Sequence, residues 1–425
     1  MNVGLITILG LLVLSICGIP IFLSLGIATL AAMSLGGMPL VVVPQKMFAG
    51  INSTALLAIP FFMLAGNIMS RSITSKLVDI SNALIGWLKG SLAVVTVLAS
   101  TLFGAISGSA VATCSAVGGI TIPAMKKEGY TDSFAAAVAS MASVLGPLIP
   151  PSITLIVYAS ATETSISALF QASIVPGLML CLLLIAYCLY YGKKKDLPAH
   201  PRMSGRQILG AFKSGIWALL MPVIILGGIF GGIFTATEAA AVSVFYALLI
   251  SLFVYRDLSW KEIIPSMAEA GISSAAILVL VGLSKSSSYV VTTSGLPQTV
   301  LTFFTELTSN KIVILLLINI LFLIIGMLME ANAAVVMMTP LLRPLMLSMG
   351  MTDIQFCMMM CMNLYIGLMT PPVGVCVLLG NQIAGAKLER TLKDAMPMLG
   401  IGLVVLLFVT YVPAVSTWLP GLLAK

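Results

Sequence analysis

Two apolar stretches carry the side chains best suited to chemistry. The run "GAISGSAVAT" (Gly104–Thr113) offers the hydroxyls of Ser107 and Ser109, and "IGMLMEANAA" (Ile325–Ala334) offers the Glu330 carboxylate and the Asn332 amide. A carboxylate in so apolar a run is costly unless it meets a cation or a proton, so Glu330 is read as functional. Two further stretches, "GPLIPPS" (Gly146–Ser152) and "GLMTPPV" (Gly367–Val373), set paired prolines in equally apolar surroundings. Proline removes an amide donor and clashes with the preceding turn, so helices over 133–160 and 354–386 should break there. Broken helices free carbonyls that coordinate cations and amides that hold anions. The chemistry on offer is ion binding.

Catalytic groups do not accompany these residues. The single histidine, His200, falls in a charged loop, and the seven cysteines lie in apolar stretches without metal-like spacing. Such thiols read as small apolar packers. No nucleophile–base pair suggests an intramembrane enzyme, and no Gly-Lys-Ser loop suggests direct ATP coupling.

Composition says what surrounds the ligand groups. The chain has 425 residues, 60% hydrophobic and 8% charged. A soluble domain carries about 25% charged residues. Uncharged runs of roughly 20 residues recur along the chain, which predicts an all-α polytopic membrane protein in a lipid bilayer. Residues 3–19 read as the first span, since no Lys or Arg precedes them and no small-residue cleavage site follows. The net charge of +7 has no basic domain to gather it, so nucleic acid is not an expected partner. It reads as a topological bias toward the cytoplasm.

The two halves repeat. A shift of 221 residues carries Pro123, Pro150, Pro151 and Pro176 onto Pro344, Pro371, Pro372 and Pro397, and Gly146 onto Gly367. Gly129, Thr131 and Asp132 fall on Gly350, Thr352 and Asp353, and Ser109 falls on Glu330. Charge then sets the relative orientation. "KKEG" at 126–129 answers to uncharged "LSMG" at 347–350, while 161–171 lacks the positive charges that Lys387 and Arg390 give its equivalent. Equivalent loops differ in opposite senses, which predicts an inverted-topology repeat of the kind secondary transporters use.

The expected map follows. The first repeat covers 1–192, a cytoplasmic linker 193–212, and the second repeat 213–425, with both termini periplasmic. Spans are expected over 3–19, 21–43 and 54–70, then an amphipathic arm over 73–89 with Leu77, Ile80, Leu84, Trp87 and Leu88 on one face. Each repeat should hold one re-entrant hairpin (about 91–125 and 312–346) beside one broken helix (about 133–160 and 354–386). Irregular backbone at that depth is tolerated only inside protein or along a wet cavity. Two related ion sites with a substrate site between them are therefore expected. Glu238 reads as a helix cap. Lys285 and Arg343, within spans, either attract an acidic solute or snorkel.

These residues resemble a known family. "IPFFMLAGNIMS" (59–70), "ISGSAVAT" (106–113), "IPPSI" (149–153), "FTATEAAAVSVFYALL" (234–249), "YRDLSW" (255–260), "MLMEANAA" (327–334) and "GLMTPPVG" (367–374) resemble the large membrane subunit of tripartite ATP-independent periplasmic (TRAP) transporters. The resemblance implies an elevator-type, sodium-coupled importer in the bacterial inner membrane. It implies two partners, a small four-helix membrane subunit and a periplasmic substrate-binding protein that delivers an acidic small molecule. Two Na⁺ ions are then expected, one near Ser107, Ser109 and Gly146, the other near Glu330, Asn332, Gly367 and Thr370. The acid group of the solute is expected between the tips, near Ser107, Ser152, Glu330 and Asn332. The segments 91–160 and 312–386 should move together against the remaining helices.

Two departures bear on the solute. Ala112-Thr113 stands where many members have Ala-Asp, and Glu330-Ala331-Asn332 stands where many have Asp followed by Pro. The first favours a sugar acid such as sialate over a C4-dicarboxylate. The competing reading is a sodium-coupled divalent-acid transporter that needs no binding protein.

Overall fold

The computed structural model describes residues 2–199, 201–371 and 374–423. His200 and Pro372 lie outside the described residues. Among those described the chain is all-helical, and eight helices are long and apolar enough to cross a membrane. A bent pair, Val42–Ile51 with Thr54–Ser70, makes nine if counted as one span. Hydropathy alone does not rank these helices, but burial does. The apolar window of Asp132–Thr162 is wholly buried, whereas that of Gly205–Phe230 is 22% buried. The interrupted helix therefore sits inside a jacket of helices whose outer faces are free to meet lipid.

Several helix boundaries fall in the 221-residue register. Ser91–Ser107 and Ala110–Lys127 form a pair joined at Gly108, and Lys311–Leu328 and Ala331–Ser348 form a pair joined at Met329–Glu330. Ser109 caps the second helix of the first pair through the Ala112 amide, and Glu330 caps its equivalent through Asn332 and Ala333. Thr131 and Thr352, also in register, cap Asp132–Ala142 and Asp353–Gly367. Each of those helices ends at its Gly and Pro cluster. The first resumes at Ile153–Thr162 after a single turn at Leu145–Leu148, and the second resumes at Val375–Ala384. A capping oxygen satisfies an amide that the helix start would otherwise strand, which is why short polar residues recur at these positions.

The pairs differ in how they close. Ser91–Ser107 lies along Ala110–Lys127, whereas Lys311–Leu328 lies along Asp353–Gly367 and its own partner Ala331–Ser348 leans on Trp260–Thr293. A buried polar bridge fixes the second arrangement. The Asn363 amide donates to Asn319 Oδ1 at 2.7 Å, and the Thr410 hydroxyl reaches the same oxygen at 3.3 Å. Such bonds tie three helices together where apolar contact alone would leave their rotation loose.

A second group of helices surrounds Trp260–Thr293. Ile21–Leu35, Val42–Ile51 and Ala58–Ser72 pack on it, and it meets the second pair through Ala331–Ser348. Here the boundaries depart from the expected spans. The span expected over 21–43 ends at Leu35, because Gly36 and a left-handed Gly37 (φ +64°) turn the chain before Val42–Ile51 begins. The arm is a helix at Thr74–Ile85 with Leu77 and Ile80 buried, but Leu84 and Trp87 are exposed. Trp87 instead carries the Arg202 guanidinium 4.0 Å from its ring centre. Lys89 and Asp196 pair across the same surface, which holds the Asp196 carboxyl below its usual range. Glu238 completes a capping box with Thr235. Six of the seven cysteines are buried, and Cys17 is exposed.

Candidate functional site

The tip of the first pair is pressed into the first break. Gly108 is left-handed (φ +61°), and a Cβ there would lie 2.5 Å from the Pro151 carbonyl oxygen. A Cβ on Gly146 would lie 2.6 Å from the Ser109 carbonyl oxygen and 2.6 Å from the Thr113 hydroxyl. A Cβ on Gly104 would come within 2.7 Å of the Gly146 Cα. Backbone meets backbone here, which only glycine permits. The result concentrates oxygens. The Ser107 and Thr113 hydroxyls are 3.2 Å apart, and Thr113 donates to the Ser109 carbonyl at 2.7 Å.

The second junction repeats the device one residue out of register. A Cβ on Gly367 would lie 2.4 Å from the Gly326 carbonyl carbon, and one on Gly326 would lie 2.9 Å from the Leu364 Cα. Glu330 sits at the helix start with its carboxylate accepting from the Asn332 and Ala333 amides at 3.0 and 3.2 Å. The Asn332 side-chain amide donates to the same carboxylate at 2.7 Å. Three donors thus meet the carboxylate, so a cation is not needed to make its presence bearable. The Asn332 Oδ1 is another matter, being buried without a partner. A buried acceptor without a donor calls for explanation, and a cation beside it would supply one. Hydroxyl, carbonyl, amide and carboxylate oxygens are the ligands hard cations prefer. The residues fit the ion.

Both junctions open on one cavity of about 550 Å³. Gly108, Ser109 and Thr154 line it from the first junction, and Glu330, Asn332 and Tyr365 from the second. Phe22, Met63 and Leu280 close the opposite wall from the helices grouped around Trp260–Thr293. The volume falls in the range of small-molecule sites, and the apolar wall with a few convergent oxygens is their usual make-up.

The nominated residues divide by depth. Ser109, Glu330 and Asn332 face the cavity. Ser107 and Ser152 are buried behind it. Gly146 and Gly367 form the close contacts, and the Thr370 hydroxyl donates to the Ile366 carbonyl at 2.9 Å. Sequence reasoning passed over the Tyr365 side chain. Its hydroxyl lies 3.4 Å from that of Ser152, bridging the two breaks at the cavity wall. The repeat gave no warning of it, because the residue in register is Val144. A lone tyrosine two positions before Gly367 was the available signal.

The comparisons agree with this architecture. The family described as "Tripartite ATP-independent periplasmic transporter, DctM component" matches residues 8–415. The large permease of a C4-dicarboxylate TRAP transporter from Pseudomonas aeruginosa is 42% identical over 377 residues, 88% of each chain. A sialic acid TRAP large permease from Vibrio cholerae is 35% identical over 98% of both chains. An isethionate TRAP permease, DctMQ of Oleidesulfovibrio alaskensis, is 41% identical over 96% of this chain, which spans 64% of that longer protein. Among solved structures, the YdaH transporter of Alcanivorax borkumensis superposes with a TM-score of 0.60 at 14% identity, covering 88% of each chain. That likeness speaks to the fold, and the sequence matches speak to kinship. With a matching family profile along nearly its whole length, the chain belongs to the DctM component family of tripartite ATP-independent periplasmic transporters, which are transport proteins rather than enzymes.

Proposed function

We propose that this chain is the translocating subunit of an inner-membrane importer that couples Na⁺ entry to uptake of a small organic acid. One observation carries the reading. Both polar junctions open on a single cavity whose far wall belongs to a different group of helices. Ions at the junctions would offset the charge of an acid held between them, and sliding one group past the other would expose the cavity alternately to each side. In this reading the paired helices are re-entrant hairpins, the halves are inverted repeats with periplasmic termini, and 91–160 moves with 312–386 as an elevator. One Na⁺ takes oxygens at Ser107, Ser109 and the break after Val144. The other takes them at Glu330, Asn332 and the stretch Tyr365–Thr370.

A small membrane subunit and a periplasmic binding protein complete the importer, as the names of the relatives suggest. The relatives named for a C4-dicarboxylate and for isethionate are more similar (42% and 41%) than the one named for sialic acid (35%). The preference for a sugar acid therefore rests on the Ala112-Thr113 departure alone. Uptake into proteoliposomes holding this chain and its small subunit tests the reading. An inward Na⁺ gradient with the loaded binding protein should drive accumulation, and leaving out the binding protein should abolish it. Equal uptake of the free acid without that protein would favour the stand-alone transporter instead.

Tyr365→Phe isolates one hydroxyl at the cavity wall. A neutral hydrogen bond is worth about 0.5–1.5 kcal/mol, so half-saturation for the solute should rise roughly 2–10-fold. The maximal rate should stay put, while loss of the bridge to Ser152 should lower the unfolding temperature slightly. Initial rates against the concentration of loaded binding protein read the effect.

A further inference from the structure

A second, smaller cavity of about 120 Å³ lies between Lys285 and Arg343, with Thr162, Ser288 and Thr339 on its walls. It lies against three of the helices that line the large one. Ile153–Thr162, Trp260–Thr293 and Ala331–Ser348 line both, the large cavity through Thr154, Leu280 and Asn332, the small one through Ala161, Lys285 and Val336. At 1.5 Å per residue, the small cavity sits about 6–10 Å further along each helix. Three helices thus run from one cavity to the other.

The charges there are not alike. Arg343 is committed, its Nε and Nη2 meeting the two Asp353 carboxylate oxygens at 2.6 and 2.9 Å. Lys285 has no such partner. Its ammonium makes two long contacts, 3.4 Å each, to the carbonyls of Ser160 and Ala161, and the nearest acid acting on it is the exposed Glu163. Its stem is held in place, because a Cβ on Gly50 would lie 2.6 Å from the Lys285 Cγ. The position is built, since Gly50 leaves room for the stem and the half-buried ammonium is left with an incomplete set of acceptors.

We propose that this cavity is a second acid-group subsite, in which Lys285 receives one carboxylate or sulfonate of the solute before it reaches the main cavity. The space holds an acid group with its water rather than a whole organic acid, so the remainder of the solute would extend beyond it, along the helices shared with the large cavity. Ser288 lines the cavity beside Lys285 and would offer its hydroxyl to the incoming oxygens, whereas the Thr162 hydroxyl is taken up by the Tyr158 carbonyl at 2.9 Å. On the topology proposed above, the loops 161–171 and 347–350, which lack positive charge, lie on the periplasmic side, so the subsite stands where a solute leaves its binding protein. The direction of travel rests on that reading. The binding of an anion does not.

The test measures local potential rather than transport. In a Cys17→Ser background, whose other native cysteines are buried, Ser288→Cys is modified with an anionic and with a cationic methanethiosulfonate. Adding Lys285→Gln should lower the anionic-to-cationic rate ratio about tenfold, because one unit charge at this range acts oppositely on the two reagents. Lys285→Arg should keep the ratio. Millimolar succinate, isethionate or N-acetylneuraminate should slow the anionic reagent at Ser288→Cys, and the protection should vanish with Lys285→Gln. An unchanged ratio, or protection that survives the loss of Lys285, overturns the subsite even if Na⁺-driven uptake is intact. A strong ratio with protection, in a protein that shows no Na⁺-driven uptake, overturns the transport reading and leaves the subsite standing.

Discussion

Gly146→Ala should abolish uptake and lower the unfolding temperature, while Gly119→Ala, nearly three helical turns from the same tip, should do neither. The contrast comes from what an added methyl would meet. At Gly146 it meets the Ser109 carbonyl oxygen and the Thr113 hydroxyl, both at 2.6 Å, and at Gly119 it meets nothing within 4 Å. Real Cβ atoms do not tolerate the first distance, so the tip must retreat from the break. Overpacking of this kind costs about 1–3 kcal/mol, and here the obstacle includes backbone that cannot rotate away. The oxygens that the retreat separates are those assigned to the first ion. Alanine at Gly119 removes a flexible residue from a helix and should be neutral to mildly stabilising. Thermal unfolding in detergent and uptake in proteoliposomes read both variants. Retained uptake in Gly146→Ala would show that the close junction is not needed.

Glu330→Gln should raise the Na⁺ concentration for half-maximal uptake about tenfold or more. The loss of one full charge near a cation accounts for that size, since about 1.4 kcal/mol corresponds to tenfold. The variant separates the two roles of this residue. Glutamine keeps an oxygen for the Asn332 and Ala333 amides, so the helix start should survive with less than about 1 kcal/mol lost. Ser109→Ala, in register in the other half, removes both a cap and a hydroxyl. It should cost about 0.5–2 kcal/mol of stability and raise the Na⁺ requirement by a smaller factor. If Glu330→Gln left the Na⁺ requirement unchanged and only lowered stability, Glu330 would be a cap and nothing more.

Much of this architecture was readable because proline and glycine act locally. Pro147, Pro150 and Pro151 remove three amide donors within five residues, and the chain leaves helical geometry after the turn at Leu145–Leu148. The register of 221 residues likewise foretold that Ser109 and Glu330 would hold equivalent places, and both turn out to be caps. What escaped depends on partners distant in sequence. Nothing near Asn319 announces that it will bridge Asn363 and Thr410. Tyr365 looks like any apolar-helix aromatic until Ser152 arrives beside it. The argument from buried charge also misled in part, because Glu330 finds donors in its own helix. Leu84 and Trp87 obeyed helical periodicity, but the arm packs on Ser91–Ser107 and Gly205–Phe230 along a narrower stripe through Leu77 and Ile80.

The most direct measurement is uptake of the acid from its loaded binding protein with external Na⁺ replaced stepwise by choline, at constant pH and clamped membrane potential. Two cooperating sites at the paired junctions call for negligible uptake in choline and a sigmoidal rise with Na⁺, its Hill coefficient above one and approaching two. Glu330→Gln should shift that curve and Tyr365→Phe should not. Uptake that proceeds equally well in choline would contradict the assignment of both junctions as Na⁺ sites.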